Sequence, residues 1–365
     1  MDVISIIMLV FILIGLFDRL FGNKLGLGTE FEKGLSLFGS LILTMAGMIV
    51  LAPLLARICN PFFSFVYQYI GIDPSVITSS IFANDMGGAQ LAKAVAKNDA
   101  LGGFNGLVIG SMLGATISFT IPFALGTLKE NRQKEFILGL LCGIITTPIG
   151  CAFGILISEM PYIIAFINLI PLTIFAIIIS LCLLLFPKVC MKAFEIFGIF
   201  IKVLVSVGLA LGLTQYLTGF ELIKGLGTFE EGAGICLKSA VALSGAFPLI
   251  HIISKLLDKP LGVLSRKIGI NDKSAIGFIS SLASNIPTIE MMDKMDQKGA
   301  VLNSAFSVSA SFLIADHLAF TLAFNGTFLA QVMLSKIISG VSAVIFANFI
   351  YKKIGKSVLN NEYEC

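Results

Sequence analysis

The sequence predicts an all-α polytopic membrane protein with about nine transmembrane helices and two re-entrant helical hairpins, arranged as repeats of inverted topology. Three observations predict this class. Of 365 residues, 56 % are hydrophobic and only 13 % charged, far from the composition of soluble domains. Nine apolar runs are each long enough to cross a bilayer, which takes about 20 residues per helix. The chain also contains an internal duplication with a nearly constant offset.

The nine runs lie near 2–21, 35–56, 102–125, 135–157, 162–187, 193–218, 233–255, 301–324 and 328–351. The first has neither a basic leader nor a small-residue cleavage site, so it is read as a retained span. Between the second and third runs, segment 60–100 holds a short amphipathic piece, Pro61 to Ile70. The polar stretch Ser79-Ser80-Ile81-Phe82-Ala83-Asn84-Asp85-Met86-Gly87-Gly88 follows, then a lysine-dotted arm from Leu91 to Asp99. Neither arm is long and apolar enough to span alone. Segment 259–300 has the same layout around Ser280-Ser281-Leu282-Ala283-Ser284-Asn285-Ile286-Pro287. Short helices that stop at an amide and a backbone breaker are expected to form paired re-entrant hairpins whose tips meet.

The duplication has further landmarks. Gly26-Leu27-Gly28-Thr29 returns as Gly225-Leu226-Gly227-Thr228, and Ile70-Gly71-Ile72-Asp73 as Ile268-Gly269-Ile270-Asn271, with all offsets between 198 and 201. Residues 1–157 are therefore expected to form one repeat of four spans and hairpin 60–100. Residues 158–192 carry a linking span, and 193–365 form the second repeat, with hairpin 259–300 and a short cytoplasmic C-terminal tail.

Charge favours re-entrant hairpins over crossing ones. With nine crossings, one side collects 18 basic residues and the other 4 (Arg57, Lys93, Lys97 and Lys224), leaving Lys202, Lys238 and Lys336 inside spans. If each hairpin region crossed instead, the division would become 11 against 11. The positive-inside rule then predicts an N-terminus outside and a C-terminus in the cytoplasm. A four-span repeat followed by one linking span inverts the second copy, as in secondary transporters with broken helices at the membrane midplane.

Several function classes are excluded. No Gly-x-x-x-x-Gly-Lys-Ser/Thr loop is present to hold ATP, and the basic residues form no single patch for nucleic acid. The seven cysteines are scattered without a Cys-x-x-Cys pair, so neither a disulfide framework nor a zinc site is expected. No metal, cofactor or catalytic residue is expected. An aspartyl intramembrane protease would need two facing aspartates, which Asp85 and Asp316 supply in type, but the chain lacks a Gly-x-Gly-Asp context.

The segments Phe31-Glu32-Lys33-Gly34, Ala83-Asn84-Asp85-Met86-Gly87-Gly88, Gly110-Ser111-Met112-Leu113-Gly114-Ala115-Thr116, Ser281-Leu282-Ala283-Ser284-Asn285-Ile286-Pro287 and Asp316-His317-Leu318-Ala319-Phe320 resemble the bacterial ethanolamine permeases of the EutH family. Ala319 stands where the family pattern has Gly. The hairpin repeats are also similar in architecture to concentrative nucleoside carriers. The EutH resemblance implies passage of ethanolamine across the bacterial inner membrane, into a cell that degrades it with a cobalamin-dependent lyase. The lipid bilayer is the expected surrounding partner, and a homo-oligomer is compatible with the sequence. A coupled carrier of another small polar solute, such as a nucleoside or amino acid, is the alternative.

A protonated ethanolamine presents three ammonium donors and one hydroxyl, so its site needs acceptors. Asp85 at the first tip and Asp316 inside an apolar run are the carboxylate candidates, since ionisable groups at membrane depth are costly and functional by default. Asp85 has an alternative as a helix N-cap, and Asp316 as an ion-pair partner of Lys202 or Lys336. His317 adjoins Asp316; its alternative is a packing role. Asn84 and Asn285 occupy matching repeat positions and either serve the substrate or stitch the tips together. Glu290 either faces the same cavity or is solvated near Lys294. Ser80 and Thr288 offer hydroxyls that also back-bond within helices, and Phe82 offers a ring face for a cation.

Overall fold

The computed structural model describes residues 3–355, with backbone alone for 3, 257–266, 354 and 355. The expected cytoplasmic tail from Lys356 onward, and the side chains of Lys259 and Arg266, lie outside the described residues. Among the described residues every regular element is helical.

Helix α1 (Val3–Leu20) turns into α2 (Leu27–Ile70) through Asp18, whose carboxylate accepts from the N–H groups of Leu27 and Gly28 at 2.8 and 3.1 Å. An acidic cap at a helix start satisfies otherwise orphaned donors. The run 35–56 and the piece Pro61–Ile70 are one helix, because Pro53 and Pro61 are accommodated inside α2, as membrane helices permit when neighbours re-satisfy the freed carbonyls. Gly71 ends it in the left-handed conformation, at φ 74°. Short helices α3 (Ser75–Ile81) and α4 (Ala89–Val95) flank a break at Phe82 and Ala83, where the backbone is extended.

Helices α5 (Asp99–Thr127), α6 (Glu130–Leu156), α7 (Tyr162–Leu185), α8 (Pro187–Thr218) and α9 (Phe229–Ile268) follow. Next come α10 (Asp272–Ala283), α11 (Asn285–Glu290), α12 (Gln297–Ala310), α13 (Asp316–Asn325) and α14 (Leu329–Ile350). Among the described residues seven helical segments, rather than the expected nine, are long and apolar enough to cross a membrane. These are α2, α5, α6, α7, α8, the Phe229–Leu256 part of α9, and Asp316–Lys353. Two differences account for the count. The first expected span forms α1, an 18-residue helix that is not among these seven. The expected span 301–324 is two helices, α12 and α13, separated by an unwound Ser311–Ala315 in which Phe312 adopts φ 61°.

Helix α5 is the centre of the fold: 83 % of its apolar stretch is buried, against 22 % for α8. Helices α7 and α8 present exposed Ile163, Leu184, Val189 and Ile199, as lipid-facing helices do. Lys202 is exposed on α8.

Both polar segments double back. Asp73, 2 % exposed, accepts from the N–H groups of Lys97 and Asn98 at 2.9 and 3.1 Å and from Ser75 N–H at 3.0 Å. One buried carboxylate thus ties the start of α3 to the end of α4. The pattern recurs 198 residues later: Asn271 N–H donates to Asp296 at 2.8 Å, and its side-chain amide donates to Lys294 carbonyl at 2.9 Å. Asn98 and Asp296 each cap the next helix, through Leu101 and Gly299 N–H. Asn105 donates to Ser75 hydroxyl and Asn303 to Ser274 carbonyl, both at 2.9 Å.

The first break seats on a glycine face of α5. A Cβ at Gly114 would collide with the Phe82 and Ser79 carbonyl oxygens, and one at Gly110 would press on the Asn84 backbone. Small residues at such a contact let backbones approach closely. Gly114→Ala is therefore expected to destabilise the protein by about 1–3 kcal/mol, the usual cost of overpacking. Thermal melting of the detergent-solubilised variant measures it; an unchanged midpoint would contradict the seating described.

Candidate functional site

The two breaks and the unwound segment meet at one cavity of about 330 Å³. Ala83, Asp85 and Met86 line it from the first break, and Ala283, Ser284 and Ile286 from the second. Phe312, Asp316 and His317 enter from the unwound stretch, and Ser40, Leu41 and Thr44 from α2.

Local chemistry fixes each wall. Ala83 N–H, freed where α3 stops, donates to Ser118 hydroxyl at 3.0 Å. Met86 and Gly87 leave helical geometry, Gly87 at φ 86°, which places Asp85 at the start of a new turn. At the second break, the carbonyls of Ser281 and Leu282 accept from Phe312 and Ile314 N–H, both at 2.9 Å. The orphan acceptors of one helix end are thus satisfied by the unwound strand opposite, which orients Asp316 at the first turn of α13. Asp85 and Asp316 line the same cavity from different elements.

His317 is 2 % exposed and its Nδ1 lies 3.0 Å from the Nζ of Lys336. Lys336, on α14 and fully buried, also donates to Ser111 carbonyl at 2.6 Å. Asp316 therefore has no ion pair with Lys336 or with the exposed Lys202 among the described residues. The remaining walls are apolar and aromatic, from Phe119, Phe247 and Phe312. Phe312 stacks edge-on to Phe119 at 5.8 Å and lies 5.1 Å from the His317 ring. Carboxylates supply the charge an ammonium needs, and ring faces attract its alkyl-bearing side.

Of the residues expected from sequence, Asp85, Asp316 and His317 line this cavity, and six do not. Asn84 and Asn285 are fully buried beside the breaks. Asn285 donates to Thr120 hydroxyl at 2.7 Å, while both amide atoms of Asn84 have no hydrogen-bond partner among the described residues. The tips are therefore not stitched together by these amides. Ser80 donates back to Val76 carbonyl at 2.7 Å, and Thr288 to Gly277 carbonyl at 2.9 Å. Phe82 packs against Phe197. Glu290, the last residue of α11, is exposed. Sequence reasoning missed Ser40, Thr44, Phe119, Phe247 and Phe312; no pattern separates three rings from 31 phenylalanines.

Among the described residues no group of three His, Cys, Asp or Glu side chains is arranged to hold a metal, and the six described cysteines are unpaired.

Comparison with known proteins agrees with the resemblance in the motifs. The family model described as ethanolamine utilisation protein, EutH, matches residues 1–350. A probable ethanolamine permease EutH of Listeria monocytogenes is 39 % identical over 97 % of this chain and 95 % of its own length. Those of Salmonella typhimurium and Escherichia coli, carrying the same description, are each 34 % identical over the whole of this chain and 98 % of theirs. No solved structure matches. With a family model covering nearly all of the sequence and relatives aligned from end to end, the chain belongs to the EutH family.

Proposed function

We propose that the protein is a membrane permease for ethanolamine that takes up the protonated amine at the Asp85–Asp316 cavity. The observation that carries this is the convergence of two carboxylates, from chain breaks more than 200 residues apart, in one partly enclosed cavity with aromatic walls. The relatives' description as probable ethanolamine permeases supplies the substrate. The relatives' description as permeases favours transport over catalysis at this site.

In this reading the hairpins expected in 60–100 and 259–300 are re-entrant over 73–98 and 271–296, because the preceding helices run on to Ile70 and Ile268. They open from opposite sides of the bilayer and belong to inverted repeats 1–157 and 193–365, linked by 158–192. Support comes from the closed bases of both segments. It also comes from loop contacts that join only segments assigned to one side. Arg57 donates to Lys224 carbonyl on the outside, and Lys129 pairs with Asp293 and Arg132 donates to Met295 carbonyl on the inside. The N-terminus then lies outside and the C-terminus in the cytoplasm, in the bacterial inner membrane.

A cation moving down an inside-negative potential gains about 2.3 kcal/mol per 100 mV, roughly fifty-fold accumulation, without a second ion. Radiolabelled ethanolamine flux in proteoliposomes, with pH and voltage set independently, tests this. Uptake at pH 6 is expected to rise steeply with inside-negative voltage; voltage-independent uptake would contradict transport of the cation, and absence of ethanolamine uptake would point to another small solute.

A further inference from the structure

We propose that Lys336 sets the charge capacity of the cavity at one cation, so that it admits singly charged amines and rejects doubly charged ones. This rests on the reading of the cavity as an ammonium site.

Lys336 is fully buried, donates to Ser111 carbonyl at 2.6 Å and meets His317 Nδ1 at 3.0 Å. It has no carboxylate within ion-pair distance among the described residues. When its ammonium donates to Nδ1, the His317 ring carries its own proton on Nε2 and is neutral. A second proton on this pair would set two cations side by side in a dry interior. Lys336 and His317 therefore carry at most one positive charge between them.

Lys336 reaches the cavity wall through His317, which lines it. Asp85, Asp316 and His317 are the only ionisable side chains among the described residues that line the cavity. With both carboxylates ionised and one positive charge on the Lys336–His317 pair, the sum is minus one. A single ammonium brings the sum to zero, whereas a diammonium leaves an uncompensated charge where water is scarce. Size alone would not make this distinction, because a cavity of about 330 Å³ has room for either.

The probe is 1,2-diaminoethane, which replaces the hydroxyl of ethanolamine by a second amine at nearly constant size. It competes with ethanolamine uptake in proteoliposomes at pH 5.5, where it is doubly protonated, and at pH 8.5, where it is mainly singly protonated. Propylamine is the singly charged control at both. For the parent protein, the diamine relative to propylamine is expected to compete at least tenfold less well at pH 5.5 than at pH 8.5. Lys336→Gln is expected to shrink that penalty about tenfold, and Lys336→Arg, which keeps the charge, to retain it. A parent that shows no penalty overturns the proposal whether or not the variants insert. A Lys336→Gln protein that transports ethanolamine with the penalty unchanged overturns it too. Failure of the parent to take up ethanolamine at all overturns the substrate reading instead, and is distinguishable because there is then no flux to inhibit.

Discussion

Asp85→Asn and Asp316→Asn are each expected to lower ethanolamine uptake at pH 6 by about a hundredfold or more while leaving membrane insertion intact. Removing one partner of a desolvated charge pair costs about 3–5 kcal/mol, and every 1.4 kcal/mol is about tenfold in affinity. The amide keeps the size and one acceptor oxygen, so the loss reports charge rather than shape. Insertion is expected to survive because neither side chain holds the fold together. The breaks are pinned instead by Ser118 on Ala83, and by Phe312 and Ile314 on the carbonyls of Ser281 and Leu282. Uptake by purified variants in vesicles, at matched protein content, measures the effect. Normal uptake by either variant would remove that carboxylate from the site.

The advantage of the protein over passive leakage is expected to grow about tenfold for each pH unit lowered between pH 8 and pH 6. A primary alkylamine has a pKa of about 10, so its membrane-permeant neutral form falls tenfold per unit below that, while the cation remains near its total concentration. Leakage follows the neutral form and therefore falls with pH; carrier flux follows the cation and does not. Uptake into vesicles with and without protein, at fixed voltage, measures the ratio. A ratio independent of pH would show that the neutral amine is the transported species.

Much of this arrangement is legible in the sequence, for physical reasons that differ by residue. Asp85 and Asp316 stand out because an acid inside an apolar run is expensive, and each sits where a helix has to begin again. The doubling back of both polar segments is signalled by Ser-Ser-x-x-x-Asn with a following glycine or proline. Its fastening by Asp73 and Asp296 is a matter of tertiary hydrogen bonds that no spacing announces. Pro61 reads as the start of a separate piece but lies inside α2, since a packed membrane helix tolerates what a soluble one does not. The converse error occurs at Ser311–Ala315, which contains neither glycine nor proline yet unwinds. There the free carbonyls of Ser281 and Leu282 outcompete the helix for the N–H groups of Phe312 and Ile314. For Ser80 and Thr288 the alternative named from sequence is the one seen, their hydroxyls donating to the carbonyls of Val76 and Gly277.

The central claim is that an ammonium sits between the two chain breaks, and the most direct measurement is substrate protection at the second of them. Ser284 lines the cavity, and its hydroxyl accepts a long 3.3 Å hydrogen bond from Ile286 N–H, so Ser284→Cys in a background without other cysteines is expected to fold. Its labelling by a small cationic thiol reagent is expected to slow at least tenfold under saturating ethanolamine, and to lose that protection when Asp85→Asn is added. Labelling at the same rate with and without ethanolamine would contradict the account.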